Sequence, residues 1–380
     1  MCTPRQPRSE RSGNIAVFAC VLMVVMLSVV ALAVDIGYLN VVDSELQRSA
    51  DAAAMAATWK LLDYQPPASS VTSSAITAIQ STASEYAGFN AIGSSAPALG
   101  VEDAQVGYLA YPFNNGASMS FSTPSKFNAV AIRVRRTDEQ NGAVGLFFAR
   151  VMGRSSASLE AVATAAFLNN VVGFRMPKDG SNLDILPITV YEPTWNGLLA
   201  GTIGTDQYAY NPATGAVASG ADGLREIVLY PDKTGSPGNC GTVDIGSADN
   251  STEVISRQIR QGLNKNDLSY HGGELTLNNA ERKLHLNGDS GISAAIKDDV
   301  HSVIGSVKVI PVYESVVNPG NNAQYTIVKW VGVRVMDERL VGENKHLIVQ
   351  PAKILAKGGV GGQTGTTTSD YVYSPVWLVR

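Results

Sequence analysis

The sequence predicts an α+β protein that begins with one long helix and ends in a mostly β domain. Three observations predict this class: an uncharged apolar run near the N-terminus, apolar residues spaced by three and four directly after it, and short alternating apolar segments further along the chain. The 380 residues are 45% hydrophobic and only 16% charged, with 36 Gly. An average soluble domain is roughly 25% charged. This mixture is typical of an exported, loop-rich protein.

Charge and cysteine content exclude two classes of protein. The 29 Lys+Arg and 33 Asp+Glu residues give a net charge of -4, whereas a nucleic-acid binder normally shows a basic surplus or a basic stripe. Cys2, Cys20 and Cys240 are too few for a disulfide framework, and Cys20 lies inside the apolar run. We therefore expect no nucleic-acid partner and no intramolecular disulfide.

The apolar run covers residues 15–34 and contains no charged residue. At about 1.5 Å per helical residue it spans the ~30 Å hydrocarbon core of a bilayer. Arginines precede the run and mainly acidic residues follow it: Arg5, Arg8 and Arg11, then Asp35, Asp43, Glu45 and Asp51. This asymmetry predicts a single-pass anchor in the inner (cytoplasmic) membrane, with the N-terminus in the cytoplasm and the bulk of the chain on the periplasmic side.

A cleaved signal peptide is the alternative interpretation of the apolar run. Ala31-Leu32-Ala33 imitates the cleavage signal of such peptides. Their apolar regions are usually about 7–15 residues long, however, and this run is longer. The length favours an anchor that is retained.

The helical pattern continues beyond the apolar run. Apolar residues recur at spacings of three and four at Ile36, Leu39, Val42, Leu46, Ala50, Ala53, Ala57 and Leu61. We expect one helix from about residue 14 to 62, ended by Pro66-Pro67. Because alanines let a neighbouring helix approach closely, we expect a helix-packing or interaction seam at Leu39, Leu46, Ala50, Ala53 and Ala57. The seam either packs on the protein's own chain or receives a partner, and the sequence leaves both open.

Residues 11–57 also carry an ordered series of short motifs. Gly13-Asn14 opens the apolar run, Val34-Asp35-Ile36-Gly37 closes it, and Glu45-Leu46-Gln47 and Ala50-Asp51-Ala52-Ala53-Ala54 follow. In this order the motifs resemble the N-terminal signature of TadG-like Flp pilus-assembly proteins. Two later segments are similar to such proteins: residues 130–167, with the string LFFARVMG, and the turn at 237–241 followed by Val243-Asp244-Ile245-Gly246.

The resemblance implies a non-enzymatic, membrane-anchored structural or assembly component of a tight-adherence (Tad) pilus system in the bacterial cell envelope. Its implied partners are membrane lipid and other pilus-assembly or envelope proteins, with no cofactor. A prepilin peptidase site would need Glu as the fifth residue after Gly13, but that residue is Phe18. The chain therefore looks like an anchored relative rather than a cleaved pilin. An anchored exported adhesin or binding module of unrelated role, using a pilin-like anchor, is the alternative.

Three parts are expected along the chain. Residues 1–65 comprise a cytoplasmic tip, the transmembrane helix (15–34) and its helical extension. Residues 66–170 form a pilin-like α+β module, with a helix over 71–86 capped by Ser69 or Ser70. The module also has strands over 102–110, 127–136 and 158–167, and a short helix over 144–152 that ends at Gly153.

Residues 171–380 form a mostly β exported domain with two short helices. The predicted strands are 185–191, 224–230, 307–313, 325–336, 347–355 and 371–379. The predicted helices are 252–261 and 290–304, which stop at Gly262 and Gly305. Prolines inside 185–191 and 307–313 indicate edge strands or bulges.

No motif in the sequence assembles a catalytic, cofactor-binding or metal site. Gly288-Asp289-Ser290-Gly291 matches the string around the nucleophile of chymotrypsin-like proteases. A triad needs a base and an orienting group, and no His precedes His271, whereas in that fold the His lies far upstream. A tight turn before a helix is the better interpretation. The four His (271, 285, 301, 346) form no H-E-x-x-H and have no Cys pair beside them. We expect no enzymatic activity.

Overall fold

A computed structural model describes residues 14–65, 71–110, 118–230, 241–246, 251–277, 280–289, 291–318, 323–362 and 367–379. Several sequence predictions fall outside these residues. They are the helix-ending Pro66-Pro67, the cap at Ser69 or Ser70, Cys240 with most of its turn, and Ser290.

Six α-helices lie in the described part of the chain: α1 (Asn14–Asp63), α2 (Ser73–Gly88), α3 (Glu192–Leu199), α4 (Thr252–Gln261), α5 (Lys265–Ser269) and α6 (Lys297–His301). Short 3-10 helices cover Val101–Asp103, Pro124–Lys126, Ala149–Met152 and Ala294–Ile296. The long helix α1 confirms the prediction of one continuous helix from about residue 14 to 62.

The first ten strands are β1 (Ala104–Gly107), β2 (Ala129–Arg136), β3 (Val144–Gly145), β4 (Ser156–Ala157), β5 (Leu159–Ala166), β6 (Val171–Arg175), β7 (Val190–Tyr191), β8 (Tyr208–Asn211), β9 (Ala216–Ser219) and β10 (Ile227–Tyr230). The remaining strands are β11 (Thr242–Val243), β12 (Glu274–Thr276), β13 (Leu284–Asp289), β14 (Val307–Val317), β15 (Ala323–Arg339), β16 (His346–Pro351), β17 (Ile354–Leu355), β18 (Gly359–Gly361), β19 (Ser369–Asp370), β20 (Val372–Tyr373) and β21 (Trp377–Val379). One N-terminal helix followed by mostly β structure confirms the α+β class.

The chain divides into two compact units. The first contains the described residues of 1–57, 78–105 and 131–164, and the second those of 58–77, 106–130 and 165–380. Helices α1 and α2 and strands β1, β2 and β5 therefore each contribute residues to both units. A four-stranded sheet has the order β1-β2-β5-β21.

The first unit packs one face of α1 against its other elements. Within it, α2 buries every fourth residue (Ile79, Ala83 and Ala87), a spacing that keeps these side chains on one face of a helix. Strand β2 buries Ile132 and Val134 in the alternating pattern of a half-buried strand, as the sequence predicts. Thr72, one residue before α2, accepts a hydrogen bond from the Ala75 N–H through its hydroxyl at 3.2 Å, so a hydroxyl cap is present.

Strand β15 organises the second unit. Strand β14 pairs along one of its edges, and β13, β19 and β16 pair in turn along the other. Near its middle, the fully buried Trp330 packs edge-on against Phe174 at 5.3 Å and donates its indole N–H to the Val172 carbonyl at 3.2 Å. The register of β14 shifts just after Pro311, which fits the bulge expected from that proline.

Two predicted helices are wrong in form. Residues 144–152 are not one helix, because β3 and β4 pair as a hairpin and a 3-10 helix occupies only Ala149–Met152. Val144 and Leu146 are buried while Gly145 is exposed, which is the two-residue period of a strand. Residues 290–304 shorten to the 3-10 helix Ala294–Ile296 and α6, and the described part of 171–380 gains two helices that the sequence analysis did not predict, α3 and α5.

Candidate functional site: the anchor helix and the Asp35 carboxylate

Helix α1 changes character at Asp35. Residues 15–34 are exposed, apart from the half-buried Ala31. Asp35 is the first buried residue of the helix, with 3% of its surface exposed. Among the described helices, α1 is the one long and apolar enough to cross a membrane. Other described residues of this chain cover its apolar run little, and fully buried positions on the helix begin at Asp35.

The predicted seam lies on the buried face of α1. Leu46, Ala50, Ala53 and Ala57 are fully buried, and Leu39 is half-buried. On the same stretch the Ser49 hydroxyl donates to the carbonyl of Ala87 in α2 at 3.2 Å. These side chains are covered by the protein's own residues in this chain, and a role of the seam in binding a partner stays a prediction.

The carboxylate of Asp35 accepts hydrogen bonds from three consecutive backbone N–H groups. Its Oδ1 lies 2.8 Å from the N of Phe147, and its Oδ2 lies 3.0 Å from the N of Phe148 and 2.7 Å from the N of Ala149. Phe147 and Phe148 precede the 3-10 helix Ala149–Met152 and Ala149 begins it, and the first N–H groups of such a helix have no partner inside it. The side chain therefore ties the tip of the β3–β4 hairpin to α1. We call this contact the Asp35 latch.

Two opposing effects set the pKa of the Asp35 carboxyl. Burial acts to raise the pKa, but the N–H groups of Ala149, Phe147 and Phe148, with the nearby charge of Arg150, hold it below its ordinary value. A carboxyl with a lowered pKa is ionised at neutral pH, which is the form that accepts three hydrogen bonds. The stabilisation by the latch is thus fully present above the ordinary carboxyl range and is lost as pH falls through the lowered pKa.

Further polar contacts follow along α1 within the same unit. The Glu45 carboxylate accepts the N–H of Gly93 at 2.7 Å. Gly93 has a positive φ of 54°, a conformation that glycine adopts without strain. The Gln47 amide reaches the Val162 carbonyl at 3.4 Å. These contacts fix the depth of each neighbouring segment along the helix axis.

A buried carboxylate at Asp103 is neutralised by two arginines. Its oxygens lie 3.0 Å from Nε of Arg133 and 2.9 Å from Nη2 of Arg135, and it also accepts the N–H of Gly100. Burial acts to raise the pKa of Asp103, but Arg135, Gly100 and Arg133 hold it below its ordinary value. The cluster stabilises the turn before β1, so we assign it a structural role.

Three carboxylates that the sequence analysis did not single out lie together in the second unit. Oxygens of Asp206, Asp222 and Glu226 are within 4.8 Å of one another. Asp206 accepts the N–H groups of Asp222 and Gly223, Glu226 accepts two N–H groups, and Asp222 accepts the Gln350 amide. Burial raises the pKa of Glu226. Because each carboxylate closes a loop, the cluster is explained by structure alone.

The first two residues of the protease-like string lie in a strand. Gly288 and Asp289 end β13 and pair with β11, so the predicted tight turn at this point is wrong for these two residues. The Asp289 carbonyl accepts the Tyr325 hydroxyl at 3.2 Å. Of the histidines, His301 faces Glu338 and His346 faces Asp337, at 3.1 and 2.8 Å. Burial lowers the pKa of His271.

The first testable prediction concerns the seam. Ala53→Arg places a long cation at a fully buried position, where an unpaired charge costs several kcal/mol. Since a folded domain is stable by only about 5–15 kcal/mol, we expect reduced accumulation and a lower unfolding temperature in detergent. The matched control is Ser44→Arg on the exposed side of α1, which should behave like the wild type. Wild-type accumulation and unfolding of Ala53→Arg would contradict the buried packing.

The second prediction concerns the Asp35 latch. Asp35→Ala removes the acceptor of three N–H groups, so hydrogen exchange of the amides at 147–149 should accelerate by roughly ten-fold or more at neutral pH. Mass spectrometry of the deuterated protein measures this change. In the wild type, protection relative to intrinsic exchange should persist down to about pH 4 and fall below it, because the lowered pKa keeps the carboxylate ionised.

Asp43→Ala is the control for the latch, because Asp43 is an exposed aspartate on the same helix. It should leave exchange at 147–149 unchanged. Equal exchange in the Asp35→Ala and Asp43→Ala variants would show that the latch does not hold the hairpin tip.

Comparison with known families covers the N-terminal part of the chain. Residues 13–60 match the Tad model, described as Flp pilus-assembly TadE/G-like, and residues 56–165 match the Tad_C model, described as Tad-like Flp pilus-assembly. The two matches meet near the end of α1 and continue almost to the end of β5. No curated protein and no solved structure matches the chain. The resemblance in the sequence is thus confirmed: residues 13–165 are similar to Tad, TadE/G-like Flp pilus-assembly proteins.

Proposed function

We propose that this chain is a non-enzymatic, single-pass structural or assembly component of a Tad/Flp-type pilus system in the inner membrane of a bacterium. The observation that carries the proposal is the coincidence of family match and anchor. The matched residues 13–165 contain the apolar run, the Asp35 latch and the hairpin that the latch holds. Pilus-assembly components act by holding partners in place, and a helix with one exposed apolar end suits that role.

The proposed topology places the N-terminus in the cytoplasm and the chain from Asp35 onward on the periplasmic side. The arginines before the apolar run support this orientation. The exposure of residues 15–34 supports lipid contact, because an exposed apolar helix in water would be unfavourable. The end of that exposure at Asp35 marks where the protein would leave the bilayer.

A non-enzymatic role agrees with the partners of the carboxylate clusters described above. The Asp103 carboxylate is neutralised by arginines, and the three carboxylates around Glu226 close loops. Catalytic groups need a pKa and a geometry matched to a substrate. The polar clusters described above instead accept hydrogen bonds from backbone N–H groups or neutralise one another.

Residues beyond 165 favour a second candidate for that part of the chain. Neither family model extends into them, although they contain the large sheet built on β15. In this alternative they act as an adhesin or binding module that the Tad-like part anchors. The two candidates agree on the anchor and differ on what residues 171–380 do.

The proposed topology predicts the activity of reporter fusions. Alkaline phosphatase, which is active only after export, should be active when fused after residue 170 of the otherwise intact N-terminal part. A β-galactosidase fusion at the same residue should be inactive, since that enzyme works in the cytoplasm. The control exchanges Arg5, Arg8 and Arg11 for Glu, which should lower phosphatase activity by weakening the orientation signal. The reverse pattern of reporter activities would refute the topology.

The proposed role predicts a loss of pilus-dependent adhesion on deletion of the gene. Full-length protein supplied in trans should restore surface pili and adhesion together. A chain truncated after residue 170 should restore neither if residues 171–380 serve assembly. If that chain restores pili but not adhesion, residues 171–380 are the binding module of the second candidate. Normal pili and adhesion in the deletion strain would refute both.

A further inference from the structure

The tip of the β3–β4 hairpin exposes large apolar side chains. Phe147, Phe148, Val151 and Met152 are 62%, 47%, 92% and 84% exposed. Outside α1, no other six-residue stretch of the described chain exposes four large apolar residues. The base of the hairpin is ordinary core, because Val144 and Leu146 are buried. Contiguous exposed apolar groups mark a surface that meets another apolar phase.

The Asp35 latch fixes where this tip lies. Asp35 follows directly on Val34, the last residue of the apolar run, and it holds the N–H groups of 147–149. One helical turn further on, the Tyr38 ring packs edge-on against Phe147 with centroids 5.3 Å apart. At a rise of about 1.5 Å per residue, positions 35–38 lie within about 6 Å of the end of the run. The headgroup region of a bilayer is about 5–8 Å thick on each side of the hydrocarbon.

Other segments of the same unit contact α1 further from the apolar run. Gly93 binds at Glu45, Val162 at Gln47 and Ala87 at Ser49. These positions are about 15–21 Å beyond Asp35 along the helix axis. Among the described segments of this unit that these hydrogen bonds join to α1, the hairpin tip therefore lies nearest to the end of the apolar run.

The charge of the tip suits a phospholipid surface. Arg150 and Arg154 are exposed, and residues 144–157 contain no acidic side chain. Arginine side chains next to aromatic and aliphatic ones are typical of segments that lie in the headgroup region, where the cation reaches phosphate and the apolar group reaches the acyl chains.

We propose that the hairpin tip, residues 146–155, is a second membrane contact. Phe147, Phe148, Val151 and Met152 enter the boundary between headgroups and acyl chains, and Arg150 and Arg154 bind lipid phosphates. The inference rests on the proposed anchoring of α1 and adds a lateral contact to it. Two contacts restrict rotation and tilt of α1, so the unit built on the helix keeps a fixed orientation over the bilayer.

The test measures lipid contact of three single-cysteine forms of the full chain in vesicles of phosphatidylethanolamine and phosphatidylglycerol. Native Cys20 reports on the anchor, Val151→Cys on the tip, and Val101→Cys is the matched control. Val101 matches Val151 because it is an exposed valine of the same unit, 78% exposed. Its carbonyl accepts the amide of Gln80, seven residues before Ala87 in α2, and Ala87 itself contacts α1 at Ser49. The other cysteines are replaced by serine. Each form carries an environment-sensitive fluorophore, and quenching by lipids with a nitroxide near the headgroup end of the acyl chain is recorded.

We expect quenching at positions 20 and 151 to exceed that at position 101 by about two-fold or more. Quenching at Cys20 with equal, low quenching at 151 and 101 would overturn the tip contact and leave the anchor intact. Low quenching at Cys20 would overturn the anchoring itself. If the latch sets the depth of the tip, adding Asp35→Asn to the Val151→Cys form should reduce quenching at position 151. Adding Asp35→Asn to the Cys20 form should leave quenching at position 20 unchanged. A tip that binds another protein instead of lipid would show no quenching at 151, because these vesicles contain no other protein.

Discussion

The first unit depends on a single helix whose N-terminal part is apolar and exposed and whose remaining part is packed against the protein. The backbone groups of α1 are paired within the helix, so the helix can lie in lipid or in water, and only its side chains decide which. Over residues 15–34 these side chains are exposed on all sides. From Asp35 onward one face is covered, and Val42, Leu46 and Ala50 are fully buried. The change from an exposed apolar surface to a packed face therefore occurs at one residue, and the hairpin tip is bound to α1 at that residue.

An aspartate suits that boundary for physical reasons. Three successive N–H groups that lead into a short 3-10 helix need acceptors, and an ionised carboxylate offers two oxygens with four lone-pair sites. An apolar residue would leave these donors buried and unpaired. The contact at Glu45 shows the contrast, since its carboxylate accepts one N–H, that of Gly93. The Asp35 carboxylate thus satisfies one end of the hairpin tip while the apolar side chains of that tip remain exposed.

Periodic features could be predicted from sequence, whereas contacts between distant residues could not. The helix expected over 14–62 is observed as Asn14–Asp63, because its apolar spacing is local. The Asp35 latch joins residues 112–114 positions apart, so no local sequence pattern predicts it. The error at 144–152 arose because exposed apolar residues imitate the buried stripe of a helix. Helix α5 did have a local signal, since Asn264 and Asp267 form a reciprocal capping box, and that signal was missed.

The seam and the polar contacts have different effects on packing along α1: the seam permits close approach, and the polar contacts oppose sliding. Alanines at positions 50, 53 and 57 permit close packing but offer few projecting groups that would oppose sliding along the helix axis. Directional bonds supply that resistance. The Asp35 carboxylate accepts N–H groups near the apolar run, and at the far end of the helix the ammonium of Lys353 donates to the carbonyls of Leu62 and Asp63 at 3.2 and 3.0 Å. A cation at that end also complements the helix dipole. Burial lowers the pKa of Lys353, so the contact weakens if the amine deprotonates at high pH. Polar contacts near both ends of the packed part of α1 therefore resist sliding along the helix axis, and the small residues of the seam permit close approach.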